Sequence, residues 1–240
     1  LCMLRRAMTS TSSHSPRDEA PEGKTVWIAG ASGLIGGFAL DQLLADAAFA
    51  RVVSFGRRPS GRKADKLDER TVDFAAVDAG DAASPDVAIC SLGTTIKKAG
   101  SKEAFRAVDH DAVLAFAKAA HAAGAKAFVI VTAMGADKGS SVFYNQVKGE
   151  VEEALTGVGF ASLTILQPSL LLGDRNESRP GERVAIVASR VLGPLLSPFR
   201  GRPIEGEVVA RAVVALAKDP KDGARTIHSG DIHGIARGVQ

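Results

Sequence analysis

The chain has 240 residues, 45% of them hydrophobic and only 5% aromatic, with a formal net charge of +3. That length suits one α/β domain with at most a small appendage, its core built from Ala, Val, Leu and Ile. The basic excess is arginine scattered through loops, which speaks against a nucleic-acid footprint; Cys2 and Cys90 stand far apart with no CxxC or Cys/His cluster, which speaks against a zinc site or a disulfide framework; and every apolar run is too short to span a bilayer.

Residues 1–23 read as a disordered tail, nearly all Ser/Thr over 9–15 and then rich in Pro, Gly and acidic residues. Arg5-Arg6 suggests a twin-arginine signal, but no hydrophobic region follows, and Asp18, Glu19 and Glu22 argue against a transit peptide. A cytoplasmic protein is expected, with residues 24–240 forming a single domain. Its first strand, Val26 to Ala29, runs into three glycines at Gly30, Gly33 and Gly36, and an amphipathic segment follows (Leu34, Ile35, Phe38, Ala39, Leu43, Leu44). Strand, tight glycine turn and helix together make a phosphate site: glycine lets a pyrophosphate approach the backbone, and the helix N-terminus offers free N–H groups and partial positive charge. The spacing is GxxGxxG, a loose form of the GxGxxG dinucleotide fingerprint.

A second strand covers 51–56. Twenty residues past Gly36, where an NAD site carries an acidic residue for the ribose 2′-hydroxyl, stands Gly56, followed by Arg57 and Arg58. With no carboxylate to repel a 2′-phosphate and two guanidiniums to bind one, this favours NADP(H) over NAD, a solvated basic turn being the plainer alternative. Residues 71–77 hold a third strand carrying Val72, Asp73 and Phe74, and 85–92 a fourth that runs into Gly93, with Cys90 a small buried apolar residue. A long helix over 101–123 stops at Gly124; its His110 and His121 read as surface or satisfied histidines. The run 126–132 is a fifth strand, buried on both faces, followed by a helix over 142–156 and a sixth strand over 162–167 stopped by Pro168. Strands alternating with helices throughout predict a Rossmann-type, doubly wound parallel sheet with helices on both faces.

Tyr144 and Lys148 lie four apart on the 142–156 helix and so share a face. A lysine cation beside a phenol lowers its pKa, letting tyrosine exchange a proton with a carbonyl or hydroxyl near neutral pH. Lys148 can also hold a nicotinamide ribose, and Thr132, at the fifth strand's end, can orient a substrate. This is the only tyrosine in the chain.

The glycine turn followed by YxxxK resembles the short-chain dehydrogenase/reductase superfamily, with the glycine spacing of its extended and atypical branches. The segments 92–100, 135–138, 144–150 and 173–182 resemble more closely the Tat-interactive-protein-like oxidoreductases and their bacterial relatives, an atypical NADPH-binding branch. The resemblance implies that Gly30, Ser32, Gly33, Leu34 and Ile35 cradle the pyrophosphate, and that Arg57 and Arg58 take the 2′-phosphate. It further implies that Asp73 and Phe74 meet the adenine, that Leu92 and Gly93 line the middle of the coenzyme, and that Lys148 binds the nicotinamide ribose. Gln167, Pro168, Ser169 and Leu170 would border the nicotinamide, with Tyr144 as acid/base. The superfamily's substrate-orienting Ser/Thr ends the fifth strand, where this chain has Thr132, Ala133 and Met134. Alignment on 132 keeps the hydroxyl; alignment on 133 or 134 removes it.

The remainder is expected to form a small substrate cap over about 173–205. It would comprise a charged loop at 173–183 whose Arg175 and Arg179 suit an anionic substrate, and an amphipathic helix at 184–196. A helix at 207–217 and a last strand at 225–228 follow, with His228 and His233 structural or in a tail. The expected function is hydride transfer between NADP(H) and a small carbonyl or alcohol. The alternatives are a catalytically weak NADPH-binding sensor or protein-interaction regulator and, more remotely, a nucleotide-sugar epimerase. The partner is a small molecule, not nucleic acid or membrane, and monomer and homodimer both fit.

Overall fold

In β1 (Lys24–Ala29), Val26 and Ile28 face one side, Trp27 and Ala29 the other, and all four are fully buried. Such a strand must lie inside a sheet covered on both faces, which is the habit of parallel sheets. The structure, a computed structural model, describes residues 23–172 and 203–238. The expected tail up to residue 22, Arg175, Arg179 and the helix at 184–196 lie outside the described residues.

Seven parallel strands form the sheet: β1, β2 (Phe49–Gly56), β3 (Leu67–Thr71), β4 (Val87–Cys90), β5 (Ala127–Val131), β6 (Ser162–Gln167) and, after a two-residue pair β7 (Leu171–Leu172) and β8 (Ile204–Glu205), β9 (Gly223–His228). Their order is β3-β2-β1-β4-β5-β6-β9, so the direction of winding reverses between β1 and β4. On one face lie α1 (Leu34–Ala45), α6 (Gly206–Lys218) and α7 (Ser229–Arg237), packed on Val26, Ile28, Val87 and Val129. On the other lie α4 (Ala112–Ala122) and α5 (Phe143–Thr156), packed on Trp27, Phe55, Cys90, Phe128 and Ile165. No described helix is long and apolar enough to cross a membrane.

Three expectations need correction. The third strand is Leu67–Thr71, not 71–77. It is a polar edge strand with no apolar alternation to announce it, while the apolar residues that suggested a strand, Val72, Phe74 and Val77, pack a loop onto the core. Strands do not alternate with helices throughout, because 57–66 and 72–86 connect β2–β3 and β3–β4 without one; the indole Nε1 of Trp27 pins the latter loop by donating to the carbonyl of Ala83 (2.8 Å). The long helix, which follows the single-turn α2 (Ile96–Ala99), is not uniform: α3 (Lys102–Arg106) passes through a π-helical turn (Ala107–Asp111) before α4. His233, expected to be structural or in a tail, lies half-buried in α7, which buries Ile232 and Ala236.

The strand registers bring the carboxyl ends to one edge. Ala29 stands opposite Phe55 and Cys90, Val131 opposite Leu166, and Gln167 opposite His228. In open α/β sheets ligands bind in the crevice outside these ends, at the reversal of strand order.

Candidate functional site

At the β1–α1 corner Gly30 has φ +92°, and a Cβ there would stand 2.6 Å from the carbonyl carbon of Ser91, so only glycine serves both the backbone conformation and the close approach of the two strand ends. A Cβ on Gly36 would fall 2.1 Å from the carbonyl oxygen of Gly30, so α1 packs against its own turn only through glycine. The turn closes by the Gly33 N–H donating to Gly30 O (2.9 Å). Among the described residues no side chain caps α1, and its first turn holds no acidic residue. Helix N-termini are left with unpaired N–H groups, so this end suits an anion. Ser32 and Gly33 are exposed, and the side chain of Ile35 is buried in the core.

At the ends of β2 and β3, Arg57 and Arg58 are exposed and form no ion pair with any described residue. Asp73 is exposed at the end of β3 and accepts from the Ala75 N–H (2.9 Å), shaping that turn. Phe74 is buried among Trp27 and Phe55, behind the surface an adenine would use. Cys90 is fully buried, and burial pushes its thiol up to about 12, which makes it a packing residue rather than a nucleophile.

The other end of the edge is made of side chains. Tyr144 and Lys148 share a face of α5 as their spacing requires, but Lys148 is turned inward, 4% exposed, with Nζ 2.8 Å from Oδ1 of Asp109. Asp109 is itself 1% exposed, and its Oδ2 accepts from the Thr94 N–H (2.8 Å). Burial raises its carboxyl above the ordinary value even with the Lys148 ammonium beside it. Asp109 is the site residue that sequence reading missed. It reaches Lys148 because the Ala112 N–H donates to Ala107 O, an i→i−5 bond that inserts one residue into the helical register. A Cβ on Gly93 would lie 3.4 Å from Asp109 Oδ1 and 3.8 Å from Lys148 Nζ, so the loop after β4 passes directly over the pair. The ring of Tyr144 lies against buried Phe105 of α3, centroids 5.5 Å apart, and its hydroxyl has no hydrogen-bond partner among the described residues. An Arg106–Glu150 ion pair ties α3 to α5, and within α5 the Gln146 Nε2 donates to the same carboxylate (3.0 Å).

Thr132 continues the α5-facing side of β5. It is 6% exposed, and its hydroxyl donates to Glu152 Oε1 (2.5 Å). Gln167 Nε2 donates to the same carboxylate at 3.1 and 3.0 Å, so Glu152, on the Tyr144–Lys148 face of α5, joins the ends of β5 and β6. Burial raises the Glu152 carboxyl above its usual range, against the pull of both hydrogen bonds. What β5 exposes at its end is half-buried Ala133 and exposed Met134, whose N–H donates to Pro168 O (2.9 Å). Pro168 is buried, Ser169 is buried with its Oγ 3.0 Å from that of Ser229, and Leu170 is 54% exposed. His110 pairs with Asp111 (2.7 Å) and His121 packs edge-on to Phe160. Among the described residues no group of three His, Cys, Asp or Glu is placed to hold a metal ion.

Glycine turn, open helix end, exposed arginines and a Tyr–Lys face, arranged along the carboxyl edge of a parallel sheet at its reversal point, define a dinucleotide-binding Rossmann protein. The residues fit a dinucleotide: the glycine turn leaves the N-terminus of α1 without a side-chain cap or an acidic residue, and the guanidiniums at 57 and 58 are uncommitted among the described residues. An NAD(P)H-binding family model matches residues 30–220, and the chain belongs to that family. It is 35% identical to the protein fmp52, mitochondrial, of Emericella nidulans over 79% of this chain and 85% of that one, and 41% identical to the protein HTATIP2 of Rattus norvegicus over 68% and 69%. The motif resemblance to the Tat-interactive-protein-like branch agrees with these relatives. Among solved structures, MoeE5 in complex with UDP-glucose and NAD superposes with a TM-score of 0.63 at 16% identity (90% of this chain, 82% of that one). WbmH of Bordetella bronchiseptica in complex with NAD+ superposes with 0.64 at 19% (86% and 76%). At such identities the likeness is one of fold.

Proposed function

We propose that the protein is an NADP(H)-dependent oxidoreductase that transfers a hydride between the coenzyme and a small carbonyl or alcohol. The observation that carries this reading is the pairing of Tyr144, its hydroxyl uncommitted among the described residues, and Lys148, held by buried Asp109, on the face of α5 at the carboxyl edge. NADP(H), when bound, supplies or accepts the hydride. The amides from Ser32 to Ile35 hold the diphosphate, and Arg57 and Arg58 hold the 2′-phosphate through charge-assisted hydrogen bonds. Lys148 binds the nicotinamide ribose, with Asp73, Leu92, Gly93, Pro168 and Leu170 bordering the coenzyme and Phe74 backing the adenine side from the core. Tyr144 gives a proton to the carbonyl oxygen or takes one from the alcohol.

The test is Tyr144→Phe. General acid–base catalysis contributes about 10²–10⁴ in rate, so turnover of a carbonyl panel should fall by that order while NADPH affinity stays unchanged. A wild-type protein that binds NADPH yet reduces nothing in the panel would overturn the reading.

One observation favours a second reading, an NADPH-loaded sensor or interaction regulator. The Thr132 hydroxyl is taken by Glu152, and Ala133 and Met134 offer none. If this reading holds, Tyr144→Ala leaves the cellular effect intact while Gly33→Asp abolishes it. A nucleotide-sugar epimerase fits less well, because guanidiniums at 57 and 58 suit a phosphate that NAD lacks. A cytoplasmic location is part of the proposal; the word mitochondrial in the fungal relatives' names makes cell fractionation the check.

A further inference from the structure

The loop that carries Arg57 and Arg58 contains no helix, yet it is fastened. The Ser60 N–H donates to Glu69 Oε1 on β3 (2.6 Å). Arg62 folds back on the same loop, its N–H donating to Ser60 Oγ (3.2 Å) and its Nη1 to Ser60 O (3.3 Å). Its guanidinium then crosses to α1. Nε meets Asp41 Oδ1 at 3.0 Å and Nη2 meets Asp41 Oδ2 at 3.1 Å, a fork-to-fork pair. The guanidinium lies close over the helix, for a Cβ on Gly37 would stand 3.5 Å from Nη2. A long, flexible side chain is therefore held by its own loop, by a carboxylate and by the surface of the helix that follows the glycine turn.

We propose that Arg62 and Asp41 form a clasp that positions Arg57 and Arg58 for a 2′-phosphate and so sets the preference for a phosphorylated dinucleotide. The inference rests on the NADP(H) reading above. A loop anchored only at its ends would spread the two guanidiniums over many arrangements, and binding would carry the cost of ordering them. The clasp removes part of that cost before the ligand arrives. It also occupies the one carboxylate this segment of α1 turns toward the loop, which would otherwise repel the phosphate. Asp41 and Arg62 are positioning residues; neither needs to touch the coenzyme.

The experiment is a titration of the full chain with NADPH and with NADH, followed by nicotinamide fluorescence, in the wild type, Asp41→Ala, Arg62→Lys and the double exchange Asp41→Arg with Arg62→Asp. Plain charge arithmetic says that removing the Asp41 carboxylate should strengthen binding of the more negative NADPH. The clasp requires the opposite. NADPH affinity should fall about two- to fivefold in Asp41→Ala, the range expected when a half-exposed ion pair is lost, with NADH affinity unchanged. Arg62→Lys, which keeps the charge but loses the fork, should show part of the loss, and the double exchange should restore the wild-type ratio. NADPH affinity unchanged or improved in Asp41→Ala, or an equal loss for both dinucleotides, would overturn the clasp and leave the NADP(H) reading standing. A wild type that does not prefer NADPH would overturn both.

Discussion

At the β1–α1 corner what meets a ligand is backbone, and it is built by residues that are neighbours in sequence. At the α5 end what meets a ligand is side chain, assembled from segments far apart. Gly30, Gly33 and Gly36 define their corner through a positive φ and two close approaches, all within one turn of chain. Lys148 is oriented by Asp109, which comes from a π-helical turn on another helix, and Asp109 in turn is held by the amide of Thr94. The first region is stiff because bulk cannot enter it. The second is stiff because two buried charges need each other.

That difference sorts the expected effects. The largest belongs to the side-chain end. Asp109→Asn leaves the Lys148 ammonium buried without its counter-charge, which costs about 3–5 kcal/mol. Chemical denaturation should show that loss, and the double variant Asp109→Leu with Lys148→Met should recover much of it, since an apolar pair tolerates burial that a lone charge does not. Additive losses in the double variant would break the contrast, because they would mean the two charges are not coupled.

Gly36→Ala comes next. Its methyl would fall 2.1 Å from the Gly30 carbonyl oxygen, so the turn must shift. Overpacking of this kind costs about 1–3 kcal/mol, and dinucleotide binding should be lost even where the variant remains folded by circular dichroism. Retention of full NADPH affinity would show that the corner is not the diphosphate site.

The smallest effect is a pH dependence. Burial holds the Glu152 carboxyl above its ordinary value of 4.5, so the folded protein keeps that proton longer than the unfolded chain does. Its contribution is therefore most favourable below 4.5 and is lost as pH rises from there through the folded value. Glu152→Gln removes this decline, and the difference in stability between variant and wild type should move in the variant's favour across that window. A difference that does not change with pH would contradict the burial argument.

The same contrast explains what was legible in the sequence. Local devices were: the glycine turn, the strand–helix order, the shared face of Tyr144 and Lys148, and Gly124 closing the long helix with φ +104°. Each is a matter of spacing within a few residues. Non-local devices were not. β3 is an edge strand whose Leu67-Asp-Glu-Arg-Thr sequence carries no apolar period, whereas Val72, Phe74 and Val77 beyond it carry a strand-like pattern that serves to pack a loop. Asp109 sits in a stripe that reads as ordinary amphipathic helix, and nothing in the spacing tells of an inserted residue. Asp41 and Arg62 lie in separate elements, and the fork between them exists only in three dimensions. The Thr132 hydroxyl was legible as a group but not in its direction, because Glu152, which claims it, is one of several acidic residues along α5.

The central claim, that the glycine corner holds the diphosphate while Tyr144 faces the reactive ring, is tested most directly by a crystal structure of the NADPH complex. The expected density has the diphosphate on the amides of residues 32–35, the 2′-phosphate between Arg57 and Arg58, and nicotinamide C4 on the side of the Tyr144 hydroxyl. A diphosphate seated elsewhere, or a Tyr144 hydroxyl pointing away from the ring, would contradict it.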